Sequence, residues 1–234
     1  MDDLLKHYQD KAAERLRINL RHAENGVLFT DIDAAYIDAR ARIGKGTRIE
    51  PCAVIEGETR IGEDCLIGQN TRIRDSRLGN GVRVEQSVIA ESDLGDGARI
   101  GPFAYLRPGS RIGAGAKVGD FVEVKNSSLG AGSKASHLTY IGDSDIGEDV
   151  NLGCGVVFVN FDGSEKHRSV VGNGAFIGCN ANIVSPVVIG DGAYVAAGTT
   201  VTKDLPSGAL AVGRARQRVL EGWVKRRGLI KHKK

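Results

Sequence analysis

Aromatic residues, proline and long apolar runs are all scarce in this chain of 234 residues. Only 5 Pro and 5% aromatic residues accompany 32 Gly, a balance that excludes collagen and favours β-structure with a turn every few residues. No apolar run approaches the ~20 residues of a membrane-spanning helix, and the N-terminus lacks the features of a signal peptide. These absences predict a globular, cytoplasmic protein that does not bind a membrane.

Cysteine motifs for metal or redox chemistry are also missing. The four cysteines lie too far apart to form a CxxC pair: Cys52, Cys65, Cys154 and Cys179. Free thiols at such positions suit a reducing compartment. The net charge is only +3, so the overall charge of the molecule does not indicate nucleic acid or another polyanion as a partner.

The chain does have an aliphatic residue at every sixth position. Ile occupies positions 37, 43, 49, 55, 61, 67 and 73 without a break. The spacing shortens at Leu78, Leu129 and Ile146, and a longer gap separates Val84 from Leu94. A longer insertion runs from Asn160 to Ser169. A period of six fits neither a helix turn nor strand alternation, so each hexad is predicted to be a short strand plus a turn. Three hexads per coil then predict a parallel β-helix of about nine coils.

The corners of these coils and the two ends of the chain complete the organisation. Small residues two positions before an aliphatic one are expected at the corners: Thr47, Ala53, Thr59, Cys65 and Thr71. Residues 3–24 are predicted to form a helix that ends at Asn25 and Gly26. Its apolar stripe must pack against the solenoid end or a neighbouring subunit, and comprises Leu4, Leu5, Tyr8, Ala12, Leu16 and Leu20. We therefore divide the chain into a helix (1–26), a β-helix (27–205) and a basic tail (206–234), which is interpreted as a solvated end.

Several strings resemble one known family. GPFAYLRPG, KASHLTYIGD, NFDGSEKH and AAGTTV are similar to the C-terminal acetyltransferase half of the bacterial bifunctional N-acetylglucosamine-1-phosphate uridyltransferase/glucosamine-1-phosphate acetyltransferases. The likeness runs from about Asn25 to Trp223. It implies a left-handed β-helix, a homotrimer, acetyl-CoA as co-substrate with no metal, and acetylation of glucosamine 1-phosphate for UDP-N-acetylglucosamine and cell-wall synthesis. The uridyltransferase half is not in this sequence, and the opening Met favours a stand-alone enzyme over a fragment.

The reactive side chains agree with this chemistry. Attack by a sugar amine requires a base that titrates near neutral pH, and His137 is the one histidine set among other polar groups of the solenoid. The resemblance puts the catalytic base at this position. A sugar phosphate calls for fixed cations. Residues that match the family's phosphate and sugar contacts are Arg107, Lys125, Tyr140, Asn151 and Lys166.

The resemblance also implies the acetyl-CoA site. The matching positions are Cys154, Asn160, Phe161, Cys179, Ala197 and Arg214. At Cys154 the family uses a backbone N–H to stabilise the thioester oxygen as it becomes negative. Two changes stand out: Phe161 replaces a common Tyr, and Cys154 and Cys179 stand where Ala and Ser also occur.

Three other functions are compatible with part of this pattern. An acyltransferase of the same fold could use another amino-sugar. A non-catalytic trimeric scaffold could bind a separate uridyltransferase through the N-terminal helix. A zinc hydratase of this fold would need three converging histidines, and only His137 lies inside the coils.

Overall fold

The structure, a computed structural model, describes residues 1–229, and the last basic residues of the tail, from 230 to 234, lie outside the described residues. Helix α1 (Asp2–Glu24) opens the chain, a short 3₁₀ turn (Ile32–Ala34) follows, and α2 (Trp223–Arg226) lies near the end. No helix among the described residues is long and apolar enough to cross a membrane. Everything between these helices is short strands joined by turns.

The strands have two to four residues each, as expected for half a hexad. In chain order they are β1 (Leu28–Phe29), β2 (Tyr36–Ile37), β3 (Arg42–Ile43), β4 (Arg48–Ile49), β5 (Val54–Glu56), β6 (Arg60–Ile61), β7 (Leu66–Ile67), β8 (Arg72–Arg74), β9 (Arg77–Leu78), β10 (Arg83–Val84), β11 (Val88–Ala90), β12 (Asp93–Leu94), β13 (Arg99–Ile100), β14 (Tyr105–Leu106), β15 (Arg111–Ile112), β16 (Lys117–Asp120), β17 (Glu123–Lys125), β18 (Ser128–Leu129), β19 (Lys134–His137), β20 (Tyr140–Gly142), β21 (Ser144–Ile146), β22 (Asn151–Leu152), β23 (Val157–Val159), β24 (Ser169–Val171), β25 (Phe176–Ile177), β26 (Asn182–Val184), β27 (Val188–Ile189), β28 (Tyr194–Val195), β29 (Thr200–Val201) and β30 (Leu210–Ala211).

Three parallel sheets form the sides of a triangular prism. The first sheet runs β1-β4-β7 onwards to β28-β30, the second runs β2-β5 to β29, and the third runs β3-β6 to β27. With eleven, ten and nine strands in these sheets, the prism has about ten turns, one more than the sequence predicts. The predicted parallel β-helix is confirmed. The last strand, β30, lies beyond residue 206, where the tail was expected to begin.

One aliphatic residue per strand points into the prism and makes the core. The predicted inward Ile residues and the small corner residues are buried, as at Ile49, Ile55, Thr47 and Ala53, each with 0% of its surface exposed. Between Val84 and Leu94 the repeat was expected to lapse. Instead the repeat continues through the fully buried Ile89, because this residue lies five positions after Val84 and five before Leu94 instead of six.

Helix α1 packs through a different face from the one predicted. Ile18 and Asn19 are buried, whereas Leu4, Leu5 and Tyr8 of the predicted stripe stay exposed. The Asn19 amide donates to the carbonyl oxygens of Ile32 (2.7 Å) and Ala35 (3.0 Å). The buried residues of α1 therefore lie in its C-terminal half. The predicted left-handed exit is confirmed at Gly26 (φ +86°), while Asn25 has a φ of −85°.

Candidate active site

His137 ends β19 at the corner between the first and second sheets. Its Nδ1 lies 2.5 Å from Oδ1 of Asp120, which ends β16 and pairs with it in register. The hydrogen bond with His137 keeps the pKa of Asp120 below its ordinary value, so the carboxylate is ionised at neutral pH and can only accept. Nδ1 must therefore carry a proton, and in the neutral imidazole Nε2 is then the nitrogen that can accept a proton from a substrate.

Further residues follow His137 along the same corner. Five successive strands of the first sheet meet this corner: β16, β19, β22, β25 and β28. In each of them, the residue two positions after the inward-facing aliphatic or Ala residue lies at the same place on the corner. We call this set the corner column; it comprises Asp120, His137, Cys154, Cys179 and Ala197. Neighbouring strands are ~4.8 Å apart, so the column extends about 14 Å from His137 to Ala197. At its far end, Arg214 Nη1 donates to the Ala197 carbonyl over 3.2 Å.

The backbone N–H of Cys154, one coil from His137, is available for a hydrogen bond. Within residues 1–229 it donates no hydrogen bond, whereas the flanking Gly153 N–H bonds to the Ile177 carbonyl at 2.8 Å. A donor without a protein acceptor, one coil from the base, can stabilise an oxyanion that forms there.

A cluster of cations occupies the opposite corner, between the second and third sheets. Arg107 and Lys125 follow paired residues of β14 and β17, so they lie one coil apart. Arg107 Nη1 donates to Oε1 of Glu123 at 2.9 Å. Lys125 lies close enough to Lys166 that its ammonium lowers the pKa of Lys166, and Arg107 adds to the same repulsion. Three of the predicted substrate-binding residues are thus brought together, with a charge excess that favours a phosphate.

Asp143 is the buried anchor of this cation cluster, with 7% of its surface exposed. Its carboxylate accepts from Lys125 Nζ (2.9 Å), Asn126 Nδ2 (2.6 Å) and Asn160 Nδ2 (2.5 Å). Burial acts to raise the pKa of Asp143, but the hydrogen bonds from these three side chains outweigh burial and lower it. The carboxylate therefore stays charged, and it raises the pKa of Lys125 in turn.

Lys166 lies on the insertion at 160–168. Side chains of the insertion itself stabilise the conformation of this loop. Oδ1 of Asp162 accepts from the backbone N–H groups of Ser164 and Glu165, both at 2.7 Å, and Oδ2 contacts His167 Nε2 at 2.6 Å. These bonds, that to Glu165 first, hold the pKa of Asp162 far below its usual range. An ionised Asp162 thus orders a loop whose only regular pairing is the Phe161–Lys166 bridge.

Tyr140 bridges the two corners across the second sheet. Its ring lies over Gly142, where an added Cβ would come within 2.5 Å of the Tyr140 hydroxyl oxygen and 2.7 Å of Asn160 Nδ2. A side chain at 142 would displace both groups. Tyr140 therefore reaches the cation cluster because residue 142 is glycine.

Within one chain the predicted residues form two groups rather than one. Cys154, Cys179, Ala197 and Arg214 follow the corner column, whereas Asn160, predicted to contact the cofactor, belongs to the Asp143 cluster. Phe161 lies exposed on the insertion. Asn151 pairs with Lys134 and faces out of the first sheet, away from the second sheet that carries Tyr140.

Sequence reasoning missed the acidic partners of this site. Asp120, Glu123 and Asp143 were not predicted, although each lies one coil away from the residue that it holds. Separations of 16 to 18 residues are the signal that could have found them, since residues one coil apart in sequence are neighbours in space.

Known proteins share the repeat and align with most of the length of this chain. The family model described as bacterial transferase hexapeptide (six repeats) matches residues 40–75, 91–126 and 168–203. The chain is 52% identical over 217 residues to the bifunctional protein GlmU of Clostridium botulinum, a match covering 93% of this chain and 48% of that protein. For the same protein of Clostridium beijerinckii the identity is 54% over 215 residues, covering 92% and 47%.

Among solved structures, a UDP-N-acetylglucosamine acyltransferase of Bacteroides fragilis aligns with a TM-score of 0.50 and 17% identity, over 77% of this chain and 70% of that one. At this identity the likeness concerns the fold alone. This chain spans about half the length of the GlmU relatives that it matches. It is a hexapeptide-repeat protein homologous to one half of the bifunctional GlmU proteins, the half that the sequence resemblance identifies as their acetyltransferase.

Proposed function

We propose that this chain transfers the acetyl group of acetyl-CoA to the amine of α-D-glucosamine 1-phosphate in the cytoplasm. The products are N-acetylglucosamine 1-phosphate, a precursor for UDP-N-acetylglucosamine and cell-wall synthesis, and free CoA. The observation that carries the proposal is the Asp120–His137 pair at the head of a column of small residues, with a cation cluster across the adjoining second sheet. Identity above 50% to half of the GlmU proteins supports the same reaction.

The proposed mechanism begins with the substrate held by its phosphate. Arg107, Lys125 and Lys166 bind the phosphate oxygens, and Tyr140 contacts the sugar ring. Nε2 of His137 accepts a proton from the amine as the nitrogen attacks the thioester carbonyl. The Cys154 N–H stabilises the tetrahedral oxyanion. Collapse of that intermediate breaks the C–S bond, and the CoA thiolate leaves with the proton that His137 returns.

Acetyl-CoA is proposed to lie along the corner column. Cys154, Cys179 and Ala197 have short side chains, so a narrow pantetheine arm can approach the backbone there. Arg214, held at Ala197, is placed to bind its phosphates. Asn160 and Phe161 are proposed to contact the cofactor of a neighbouring copy, because within one chain they lie at the other corner.

We further propose that the active form is a homotrimer. Asn151 faces away from the cation cluster of its own chain, so it can hold the sugar only from an adjacent subunit. The exposed basic tail, with Arg216 and Arg218, is proposed to cover the cofactor on such a neighbour.

The deciding measurement is release of free CoA thiol by the purified protein. We expect release with acetyl-CoA and glucosamine 1-phosphate, and little with glucosamine 6-phosphate or a nucleotide-linked amino-sugar. His137→Ala should lower kcat by about 10²- to 10⁴-fold, the usual contribution of a general base. His7→Ala, which changes an exposed histidine of α1, is the matched control and should retain full activity. Absence of release with any amino-sugar phosphate, from a folded protein, would refute the proposal and favour a scaffold that binds a separate uridyltransferase.

A further inference from the structure

Two of the four cysteines are stacked on each other in the corner column. Leu152 of β22 pairs with Ile177 of β25, and Cys154 and Cys179 lie two residues after these partners. The Asn180 N–H donates to the Cys154 carbonyl at 2.8 Å, so the two turns lie directly one above the other. A Cβ built on Gly153 would lie 2.9 Å from the Cys179 Cα, which shows how closely the turns approach.

Side chains at this pair of positions can touch. Asp120 and His137 occupy the equivalent pair of positions two steps earlier in the column, and their side chains are in hydrogen-bond contact at 2.5 Å. A disulfide requires Cα atoms roughly 4.4–6.8 Å apart, and adjacent strands are ~4.8 Å apart. The stack therefore meets the main distance requirement for a Cys154–Cys179 bond.

These thiols are also accessible, unlike that of Cys65. Cys179 is exposed and Cys154 is partly exposed, whereas Cys65 is buried inside the prism. Burial raises the pKa of Cys65, which keeps its thiol protonated and unreactive. Cys52 is exposed, but the residue above it in the next coil is Asn70, so it has no thiol partner there.

We propose that Cys154 and Cys179 form a redox site whose oxidant is a low-molecular-weight disulfide, specifically CoA disulfide. The choice of this oxidant rests on the proposed function, which places a CoA binding track along the corner column. The resulting Cys154–Cys179 bond lies across that track. Oxidation therefore blocks acetyl-CoA binding, and a reducing thiol restores it.

The exchange balances without any further reactant. The Cys179 thiolate attacks one sulfur of CoA disulfide, which forms a Cys179–CoA mixed disulfide and expels one CoA thiolate. The Cys154 thiolate then attacks the Cys179 sulfur, forms the protein disulfide and expels the second CoA thiolate. Two protein thiols lose two electrons and two protons, and one CoA disulfide becomes two CoA thiols.

Peptide mapping can test this directly, because trypsin puts each cysteine on its own peptide. Cleavage after Lys and Arg gives peptides 49–60, 61–72, 135–166 and 169–203, which carry Cys52, Cys65, Cys154 and Cys179 respectively. The full-length protein is treated with CoA disulfide or with glutathione disulfide, alkylated and digested. We expect loss of two thiols and a linked 135–166/169–203 pair lighter than its parts by two hydrogen atoms. It should form faster with CoA disulfide and more slowly when acetyl-CoA is present.

The variants separate a paired site from ordinary surface oxidation. In Cys154→Ala and in Cys179→Ser, the remaining thiol of the pair should react with CoA disulfide only as far as the mixed disulfide. The matched control Cys52→Ser should form the linked pair as before. Absence of the linked peptides with either disulfide would overturn the redox site, and equal rates with both would overturn CoA disulfide as its oxidant. Because the readout is a mass, a linked pair in a protein without acetyltransferase activity would refute the proposed function and leave the thiol pair established.

Discussion

At the residue scale, Asp120 controls which nitrogen of His137 can act. Its carboxylate holds the proton on Nδ1, so Nε2 is the acceptor. We expect Asp120→Asn to lower kcat by about 10- to 100-fold, because the amide can also stabilise the wrong tautomer. The KM values should change little, since Asp120 contacts neither proposed substrate.

Steady-state kinetics with both substrates check this prediction, and the split between kcat and KM distinguishes positioning from general loss of structure. Lys117→Gln is the matched control, because Lys117 begins the same strand, β16, and is exposed. An Asp120→Asn enzyme with wild-type kcat would show that His137 is oriented without this carboxylate.

Asp143 is the residue whose removal should cost most stability near the site. It is buried and compensates the charge of Lys125 while accepting from Asn126 and Asn160. Asp143→Ala leaves a cation and two amides without their acceptor, and we expect the free energy of unfolding to fall by about 3 kcal/mol. Urea denaturation measures this change.

Acid titration gives a second check on Asp143. Because its pKa is lowered in the folded protein, its contribution to stability is complete above about pH 4, the ordinary Asp value, and disappears as pH falls through the lowered pKa. The variant and the wild type should therefore converge in stability at low pH. Asp93→Ala, at an exposed position of β12, should change stability little at any pH.

At the element scale, the coil was predictable because each inward position demands an aliphatic residue, as at Ile49 and Ile55. The exact length of each turn was not predictable, so the inward-facing Ile89 was missed and the predicted number of coils was one too low. The same uncertainty hid Asp120 and Asp143, since a partner one coil away can be found only when the coil length is known. The predicted packing face of α1 was wrong because the predicted stripe spans the whole helix, while its buried residues, Ile18 and Asn19, lie in its C-terminal half.

Stacking of the turns gives a prediction for this element. Gly113 lies where an added Cβ would be 2.4 Å from the backbone nitrogen of Ala131 in the next coil. Gly113→Ala must push two coils apart, and we expect a loss of about 3 kcal/mol in the free energy of unfolding. Gly115, two residues later, has a φ of +66° and nothing within 4 Å of such a Cβ. Its replacement by Ala should therefore cost only the backbone strain, about 1 kcal/mol.

Chemical denaturation of the two glycine variants side by side decides whether contact between coils or turn conformation limits stability. Equal losses in Gly113→Ala and Gly115→Ala would mean that neighbouring coils adjust freely. A larger loss at Gly115 would mean that the left-handed turn matters more than the close approach.

At the scale of the whole molecule, the two groups of site residues are the basis of the proposal that copies share their sites. Lys125 and Tyr140 belong to the second sheet, and His137 ends its first-sheet strand at the corner that joins the two. Asn151 begins the neighbouring first-sheet strand and faces out of that sheet. Sedimentation should give a particle of three times 24.9 kDa. His137→Ala and Asn151→Ala should each be nearly inactive alone.

Mixed trimers of these two variants test the sharing. When chains are co-expressed in equal amounts, a site with His137 from one chain and Asn151 from its neighbour is intact with a probability of about one quarter, so about a quarter of wild-type activity should return. Mixing His137→Ala with Lys125→Ala is the matched control, and it should restore nothing because both residues act from the same chain. Recovery in the control, or none in the Asn151 mixture despite proven mixing, would contradict a site built between subunits. Recovery in the Asn151 mixture alone would instead establish that the sugar is held by one chain and acetylated on the next.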